Sequence, residues 1–398
     1  MTLIKKSAIY ILMMCMLTAC WSNVELNEIG IVTAIGIDYI DEEYVVSMQI
    51  LNPSEIAQNG SSNQIPVFVY SMKADSVLEA VKKMSTLVSR EIYIAHTRTV
   101  IVNEQLAENG ISEILDFFTR YNEIRPDFFL LIAKDYRAEE IISILTPLEK
   151  IPANKMYTSL LLSEDVWSPT RGIKMNELIN SLATKGLEPV LTGVTLYSSS
   201  NQSEGESESN VKQVNQYEDL QLTTLGVFKD DQLIGWLNER ESIGLNYLKA
   251  EQFSVLGPIN CQEGDKHNFT MEITGGNLRV GSTIQNGKPV FQTKVYVKAE
   301  LAETSCRYNP ILKNDLKKYQ LMAEEELYDI LVETFEAIKK YQSDFVGLGD
   351  LLKKEHPDYW AENEEIWQER LQDFEVELDI EVKIKRFGTT TAPYQFKQ

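Results

Sequence analysis

Leu278 to Leu301 reads LRVGSTIQNGKPVFQTKVYVKAEL. Two runs rich in alternating apolar and polar residues, Leu278 to Ile284 and Pro289 to Leu301, meet at Asn286-Gly287. Asn and Gly both accept the positive φ of a two-residue hairpin turn, so the spacing predicts an antiparallel hairpin. A further strand is expected just upstream, at His267 to Thr274. Downstream the period changes: Leu316, Tyr319, Leu327, Ile330, Leu331, Phe335, Ile338 and Tyr341 fall on one stripe of a long helix from Asn314 to about Ser343. The chain then turns at Gly347 and Gly349, enters a short helix carrying Trp360 and Trp367, and closes in a strand. There Phe374, Val376, Leu378, Ile380, Val382 and Ile384 alternate with Glu375, Glu377, Asp379, Glu381, Lys383 and Lys385, which gives one core face and one wet face.

The first half is organised differently. Ile29 to Ile40 and Tyr44 to Leu51 flank an acidic break at Asp41-Glu42-Glu43 and read as a hairpin. Ile65 to Met72 is a third strand, and Ser76-x-x-Glu79 is a capping box that opens a helix with Val77, Leu78, Val81, Met84, Leu87 and Val88 at helical spacing. A strand at Thr97 to Val102, a helix from Gly110 to Tyr121 and a strand at Asp127 to Ala133 follow, so helices pack on a sheet here. Ser198 to Asn210 (SSSNQSEGESESN) has no apolar residue and reads as a flexible surface insertion. Leu225 to Lys229 and Gln232 to Leu237 then form another hairpin around Asp230-Asp231. The expected fold class is α+β and multidomain, with mixed and antiparallel sheets, packed helices, and a long helix and long terminal strand in the C-terminal half. The expected division is 1–19 signal peptide, 20–197 N-terminal region, 198–218 polar acidic linker and 219–398 C-terminal region.

The chain has 398 residues, 38 Lys+Arg against 59 Asp+Glu, and a formal charge of −21. That balance excludes a nucleic-acid binder, which needs clustered basic side chains for phosphate contacts. With 43% hydrophobic residues the chain has apolar surface for real cores, and its length is more than one core usually supports. Lys5 and Lys6 precede an apolar run from Ser7 to Ala19, the pattern of a secretory signal. As a helix that run rises about 20 Å, short of the ~30 Å hydrocarbon core, so it is a poor permanent span. Leu17-Thr18-Ala19-Cys20 resembles the bacterial lipobox, in which the cysteine thiol receives a diacylglyceryl group and becomes the new N-terminus. Cys20 is therefore the expected lipid-attachment residue, and two acyl chains anchor stably where one does not. The acidic body is expected to stand off anionic headgroups, held by Cys20.

Cys261 and Cys306 are the pair available for a disulfide on the oxidising side, but bacterial exported proteins often keep buried free thiols, and the sequence leaves the pairing open. Neither cysteine has zinc-like spacing, and no P-loop, zincin, nucleophile-elbow or dinucleotide-binding motif occurs. His96, near the start of a strand, reads as a structural group. No catalytic, cofactor-binding or metal-ligating residue is assigned, and no cofactor is expected. Trp360, Trp367 and Leu371 share one helical face and read as a buried anchor in preference to an aromatic ligand platform. Asp344, Gly347 and Gly349 could line a binding loop, but more simply turn the chain out of the long helix.

Several blocks together resemble one family. Cys20-Trp21-Ser22-x-x-Glu25-Leu26-Asn27-Glu28 looks like the lipidated start of the Ger(x)C family, the C-subunit lipoproteins of spore germination receptors. His96 to Pro126 (HTRTVIVNEQLAENGISEILDFFTRYNEIRP) is similar to the family's N-terminal region. Gly226 to Asp231 and Gly235-Trp236-Leu237 resemble the opening of its C-terminal region. Asp344-x-x-Gly347-x-Gly349, Pro357, Trp360, Trp367 and Gly388 resemble its closing pattern, while Ser198 to Asn210 matches no family block. The resemblance implies a non-enzymatic protein, lipid-anchored on the outer leaflet of the spore inner membrane. It would act with two membrane-spanning partners, the A and B subunits, to sense nutrients and trigger exit from dormancy; direct contact with a small molecule is left open. The competing reading is a solute-binding lipoprotein of a transporter, which would normally show two doubly wound α/β lobes.

Overall fold

The computed structural model describes residues 28–52, 65–167, 169–198, 206–212, 218–249, 255–262 and 266–386; the signal-like segment, Cys20 and Gly388 lie outside the described residues. The chain opens with the hairpin of β1 (Ile29–Ile40) and β2 (Glu43–Leu51), turned by Asp41 and Glu42 at positive φ, and β3 (Val67–Ala74) adds antiparallel to β2. Helix α1 (Val77–Lys83) starts at Ser76, whose hydroxyl accepts the Glu79 N–H at 3.3 Å. Then come β4 (Glu91–Tyr93), β5 (Thr99–Asn103), α2 (Glu104–Asn109), α3 (Ser112–Arg120), β6 (Phe129–Ala133), α4 (Ala138–Ser143), α5 (Pro152–Val166), α6 (Met175–Ala183) and β7 (Val190–Ser198). Short α7 (Ser209–Lys212) precedes the hairpin of β8 (Glu218–Lys229) and β9 (Gln232–Trp236), and α8 (Glu239–Leu248) follows. The C-terminal part contains β10 (Val255–Asn260), β11 (Asn268–Gln285), β12 (Lys288–Thr304), α9 (Lys313–Tyr341), α10 (Leu348–Glu355), α11 (Pro357–Asn363), α12 (Trp367–Arg370) and β13 (Glu375–Arg386).

The large sheet has the order β3-β2-β1-β5-β6-β7-β8-β9, with β4 also against β1. Its centre is parallel, β1 to β5 to β6 to β7, and its flanks are antiparallel. Parallel strands covered on both faces need apolar side chains on both. Val100, Val102, Leu130 and Ile132 accordingly face a core shared with α1, α2, α3 and α6, and Ile101, Leu131 and Ala133 face a second core with α4 and α5. A register shift between Val32 and Ala34 lets β1 serve both: Val32 and Ile35 enter the first core and Ala34 the second. Buried Asp38 ties β1 to α4 by accepting the N–H groups of Ala138 and Glu139 at 2.7 and 3.1 Å. Because β7 and β8 pair, the sheet continues across the polar insertion. The insertion is also fastened at its end: Asn210 is fully buried, donates to the carbonyls of Leu145 and Glu218 at 2.9 and 2.8 Å, and accepts the Glu218 N–H at 3.1 Å.

The second sheet runs β10-β11-β12-β13, antiparallel except for the parallel β12–β13 pair. Asn286 and Gly287 turn the hairpin at φ 52° and 78°, with Gln285 opposite Lys288. Helix α9 lies on this sheet and closes a core with Phe269, Phe291, Val297, Leu331 and Phe335. The two strands expected at 267–274 and 278–284 are one strand, β11, because a register shift between Ile273 and Gly275 absorbs the glycines without ending the pairing. The expected Trp360–Trp367 helix is broken into α11, a turn of 3₁₀ helix at Glu364–Ile366 and α12. Asn363 donates its side-chain amide to the Tyr359 carbonyl at 2.8 Å, competing with the backbone where the α-helix stops.

The pairing left open by the sequence is made: Cys261 and Cys306 form a disulfide, with Cα atoms 5.7 Å apart. Pairing of Asn260 with Asn268, and of Phe269 with Thr304, brings the ends of β10 and β12 to neighbouring rungs of β11, so the cysteines that follow arrive side by side. The two halves together are an α+β assembly with one mixed sheet and one hairpin-based sheet. They are not two doubly wound lobes.

Candidate functional site

The closing pattern Asp344, Gly347, Gly349, Trp360 and Trp367 folds into one cluster. Asp344 is 2% exposed, and its Oδ1 accepts the N–H groups of Gly347 and Leu348, both at 2.8 Å. Its Oδ2 accepts the N–H of Gly349 at 2.7 Å and the indole N–H of Trp367 at 2.9 Å. By accepting three of these bonds the carboxylate satisfies amides at the start of α10 that the helix itself cannot. Burial pushes the Asp344 carboxyl upward, and the donated hydrogen bonds pull it back. Trp360 and Trp367 are 4% and 3% exposed and meet edge to face at 5.6 Å. They are the anchor expected from their spacing, not an open platform.

Gly349 does more than turn the chain. A Cβ there would stand 2.7 Å from the Cα of Gly186 and from both tryptophan rings, and one on Gly186 would stand 2.6 Å from Trp360. The two glycines lie back to back, and through them the Thr184–Pro189 segment, between α6 and β7, meets the C-terminal helices. The Glu188 N–H donates to the Asp344 carbonyl at 2.9 Å, and the Asp350 N–H to the Gly186 carbonyl at 3.1 Å. The Glu188 carboxylate accepts the Asp230 N–H at 2.8 Å, from the β8–β9 turn, and the Gln368 side-chain amide at 3.2 Å, from α12. Lys185 pairs with Glu365 at 2.8 Å and Glu364 at 3.4 Å.

Beside this joint is a cleft of about 390 Å³ lined by Lys185, Glu188, Asp230, Glu364, Glu365 and Glu369 among others. Burial pushes the Glu188 carboxyl up to about 7; the Asp230 amide opposes that shift, and the Asp230 and Asp344 charges reinforce it. A second cavity of about 260 Å³ between α1 and α3 is lined by Tyr44, Leu78, Glu113, Phe117 and Tyr121 among others. There the Tyr44 hydroxyl donates to Glu113 at 2.6 Å, and burial with that carboxylate raises its pKa. Among the described residues no group of three or more His, Cys, Asp or Glu could hold a metal ion. His96 is exposed and packs edge to face on Tyr93 at 5.4 Å, away from both cavities.

The sequence offered Asp344, Gly347 and Gly349 as a turn and Trp360 and Trp367 as a separate buried anchor, aligned only as positions of one family pattern; their contact, and Gly186 and Glu188, were missed. The only local cue is a glycine between Lys185 and Leu187, which says nothing about a partner so distant in sequence.

Residues 22–196 match the family described as spore germination protein N-terminal domain, and residues 223–388 match spore germination B3/GerAC like, C-terminal. Spore germination protein KC of Bacillus subtilis (strain 168) is 30% identical over 409 residues, spanning 99% of this chain and 100% of that protein. The chain belongs to the Ger(x)C family. Spore germination protein B3 of the same strain is 24% identical over 391 residues, covering 96% of this Ger(x)C protein and 98% of that one. The crystal structure of the GerBC protein shares the fold, with a TM-score of 0.56 at 21% identity over 88% of this chain and 96% of that one. The family is a non-enzymatic receptor family, and this member is not an enzyme. The joint described above joins the two matched regions, since Gly186 and Glu188 lie in the first and Asp344, Gly349 and Gln368 in the second.

Proposed function

We propose that this Ger(x)C protein is the lipid-anchored C subunit of a nutrient-responsive spore germination receptor, acting with membrane-spanning A and B subunits to trigger exit from dormancy. The observation that carries the reading is the end-to-end match to spore germination protein KC, across both regions and the joint between them. In this reading residues 1–19 are removed as a signal peptide and Cys20 carries the lipid, on the outer leaflet of the spore inner membrane. The lipobox-like run before Cys20 supports that attachment, and among the described residues no helix is long and apolar enough to cross a membrane. A tether raises the effective concentration of the folded body near its partners, so modest interfaces suffice. The body then acts by differential contacts with the two states of the complex rather than by chemistry.

The test is dipicolinate release from spores lacking this chain and the other germination receptors' overlapping responses, challenged with single nutrients. Loss of response to one nutrient or nutrient set, restored by the wild-type gene, is expected. Normal responses throughout would overturn the reading. A Cys20→Ala chain that is present but no longer restores the response is the expected result for the anchor.

A further inference from the structure

The lipid proposed on Cys20 limits where the folded body can sit. Cys20 is eight residues from Glu28, where the described chain begins, and an extended chain spans at most about 3.6 Å per residue. The start of β1 therefore lies within roughly 29 Å of the cysteine that holds the acyl chains. This end of the large sheet projects. N-terminal to Val32, β1 pairs among the described residues with β4 alone, Ile29 opposite Glu91, Gly30 opposite Ile92 and Ile31 opposite Tyr93, and the Glu91 N–H donates to the Glu28 carbonyl at 2.9 Å.

Three large apolar side chains are exposed around the projection. Tyr93 is exposed on β4 itself. Leu87, half-exposed, follows the 3₁₀ turn Met84–Thr86 and precedes Val88, whose Cγ1 would stand 3.8 Å from a Cβ on Gly30. Phe68, also half-exposed, lies on β3 opposite Ile50, and Ile50 lies opposite Val32, so Phe68 is two strands, about 10 Å, from β1. At the far end of β1, Tyr39 is exposed but packs edge to face on Tyr44 at 5.0 Å. Ten residues of strand, roughly 33 Å, separate Tyr39 from Ile29.

The charges favour the same end. With a formal charge of −21 the protein as a whole is repelled by anionic headgroups. From Ala80 to Asn103, however, Lys82, Lys83, Arg90 and Arg98 stand against Glu91 alone, with Glu28 at the start of the strand. Lys83 is paired with Glu79 at 2.7 Å, whereas Arg90 lies beside Gly30 at the tether itself.

We propose that the end of the large sheet carrying Phe68, Leu87 and Tyr93 rests in the headgroup layer of the bilayer that holds Cys20, with the Tyr39 end held away from it. This placement rests on the lipid at Cys20. The three side chains stand on two strands and a turn and form no single groove, which suits a fluid boundary better than a fitted protein surface. Tyrosine, with an apolar ring and a polar tip, belongs at headgroup depth. Each contact is weak alone, but the tether makes all three intramolecular.

The test uses the mature chain lipidated on Cys20 in phosphatidylcholine–phosphatidylglycerol vesicles that contain no other protein. An environment-sensitive fluorophore is placed in turn on Leu87→Cys, Tyr93→Cys and Tyr39→Cys; Cys261 and Cys306 are bonded to each other, so each new thiol can be labelled selectively. Spin-labelled lipids should quench the labels at 87 and 93 and leave the label at 39 bright. Adding Phe68→Asp and Leu87→Asp to the Tyr93→Cys chain should abolish the quenching at 93. Should that combination fail to fold, the three single labels decide alone. Equal quenching at 87 and 39, or none at either, in a chain whose mass shows the lipid on Cys20 would overturn the placement and leave the anchor standing. A mass without the lipid would overturn both. Labels that stay bright on these vesicles and are shielded only when the membrane-spanning subunits are added would assign the patch to a protein partner and overturn the lipid contact.

Discussion

In the large sheet β6 buries every residue from Phe129 to Ala133, whereas in the second sheet β13 leaves Val376, Leu378 and Ile380 only half-buried and buries Val382 and Ile384. The first strand is covered by helices on both faces and the second on one, so the same length of backbone carries very different amounts of dry contact. The large sheet depends on strands covered on both faces, and the second sheet on the single layer that α9 lays over it and on the disulfide where β10 and β12 end.

That contrast can be broken by mutation. Leu131→Ala, at a fully buried site, should cost about 3–4 kcal/mol in denaturant unfolding, while Leu378→Ala should cost about 1 kcal/mol or less. Equal costs would erase the distinction. Cys306→Ser opens a cross-link between residues separated by 45 in sequence and should cost about 2–4 kcal/mol. Amides of β10 and β12 should then exchange faster, with those of β5 and β6 little affected. Gly349→Ala forces a methyl group onto Gly186 and two indoles and should cost about 2–3 kcal/mol, read as a lower thermal midpoint and loss of the Glu188 and Asp350 amide protection. The smallest effect is electrostatic. Because Glu188 titrates higher folded than unfolded, stability should decline by about 1–2 kcal/mol between pH 5 and 7, a range discounted for the carboxyl's partial solvent contact. Glu188→Gln should flatten that decline in urea titrations run at each pH.

Legibility followed the range of the interactions. Val100 to Val102, Phe129 to Ala133, the Asn286-Gly287 turn and the α9 stripe are set by neighbours within a few residues, and their types were readable from periodicity. The pairing of β7 with β8 across the polar insertion was not, because nothing in Ser198 to Asn210 reports that its flanks are adjacent strands. The disulfide stayed open for a related reason: its geometry is a product of strand register, which spacing does not contain. At the joint, Asp344 and Gly349 were read as a turn and Trp367 as part of a separate anchor, and their meeting depends on a fold-back that spacing does not report. Gly186 and Glu188 were invisible because their partners come from the other half of the chain. The expectation for Cys20 comes from its apolar approach and falls outside the described residues.

We propose that this chain is a receptor subunit that works by being held at the membrane beside its partners. The most direct measurement is dipicolinate release from spores carrying wild-type, deleted and Cys20→Ala forms, with overlapping receptors removed and single nutrients supplied. The expectation is a response lost on deletion, restored by wild type and not restored by Cys20→Ala. Full nutrient responses in the deletion strain would contradict it.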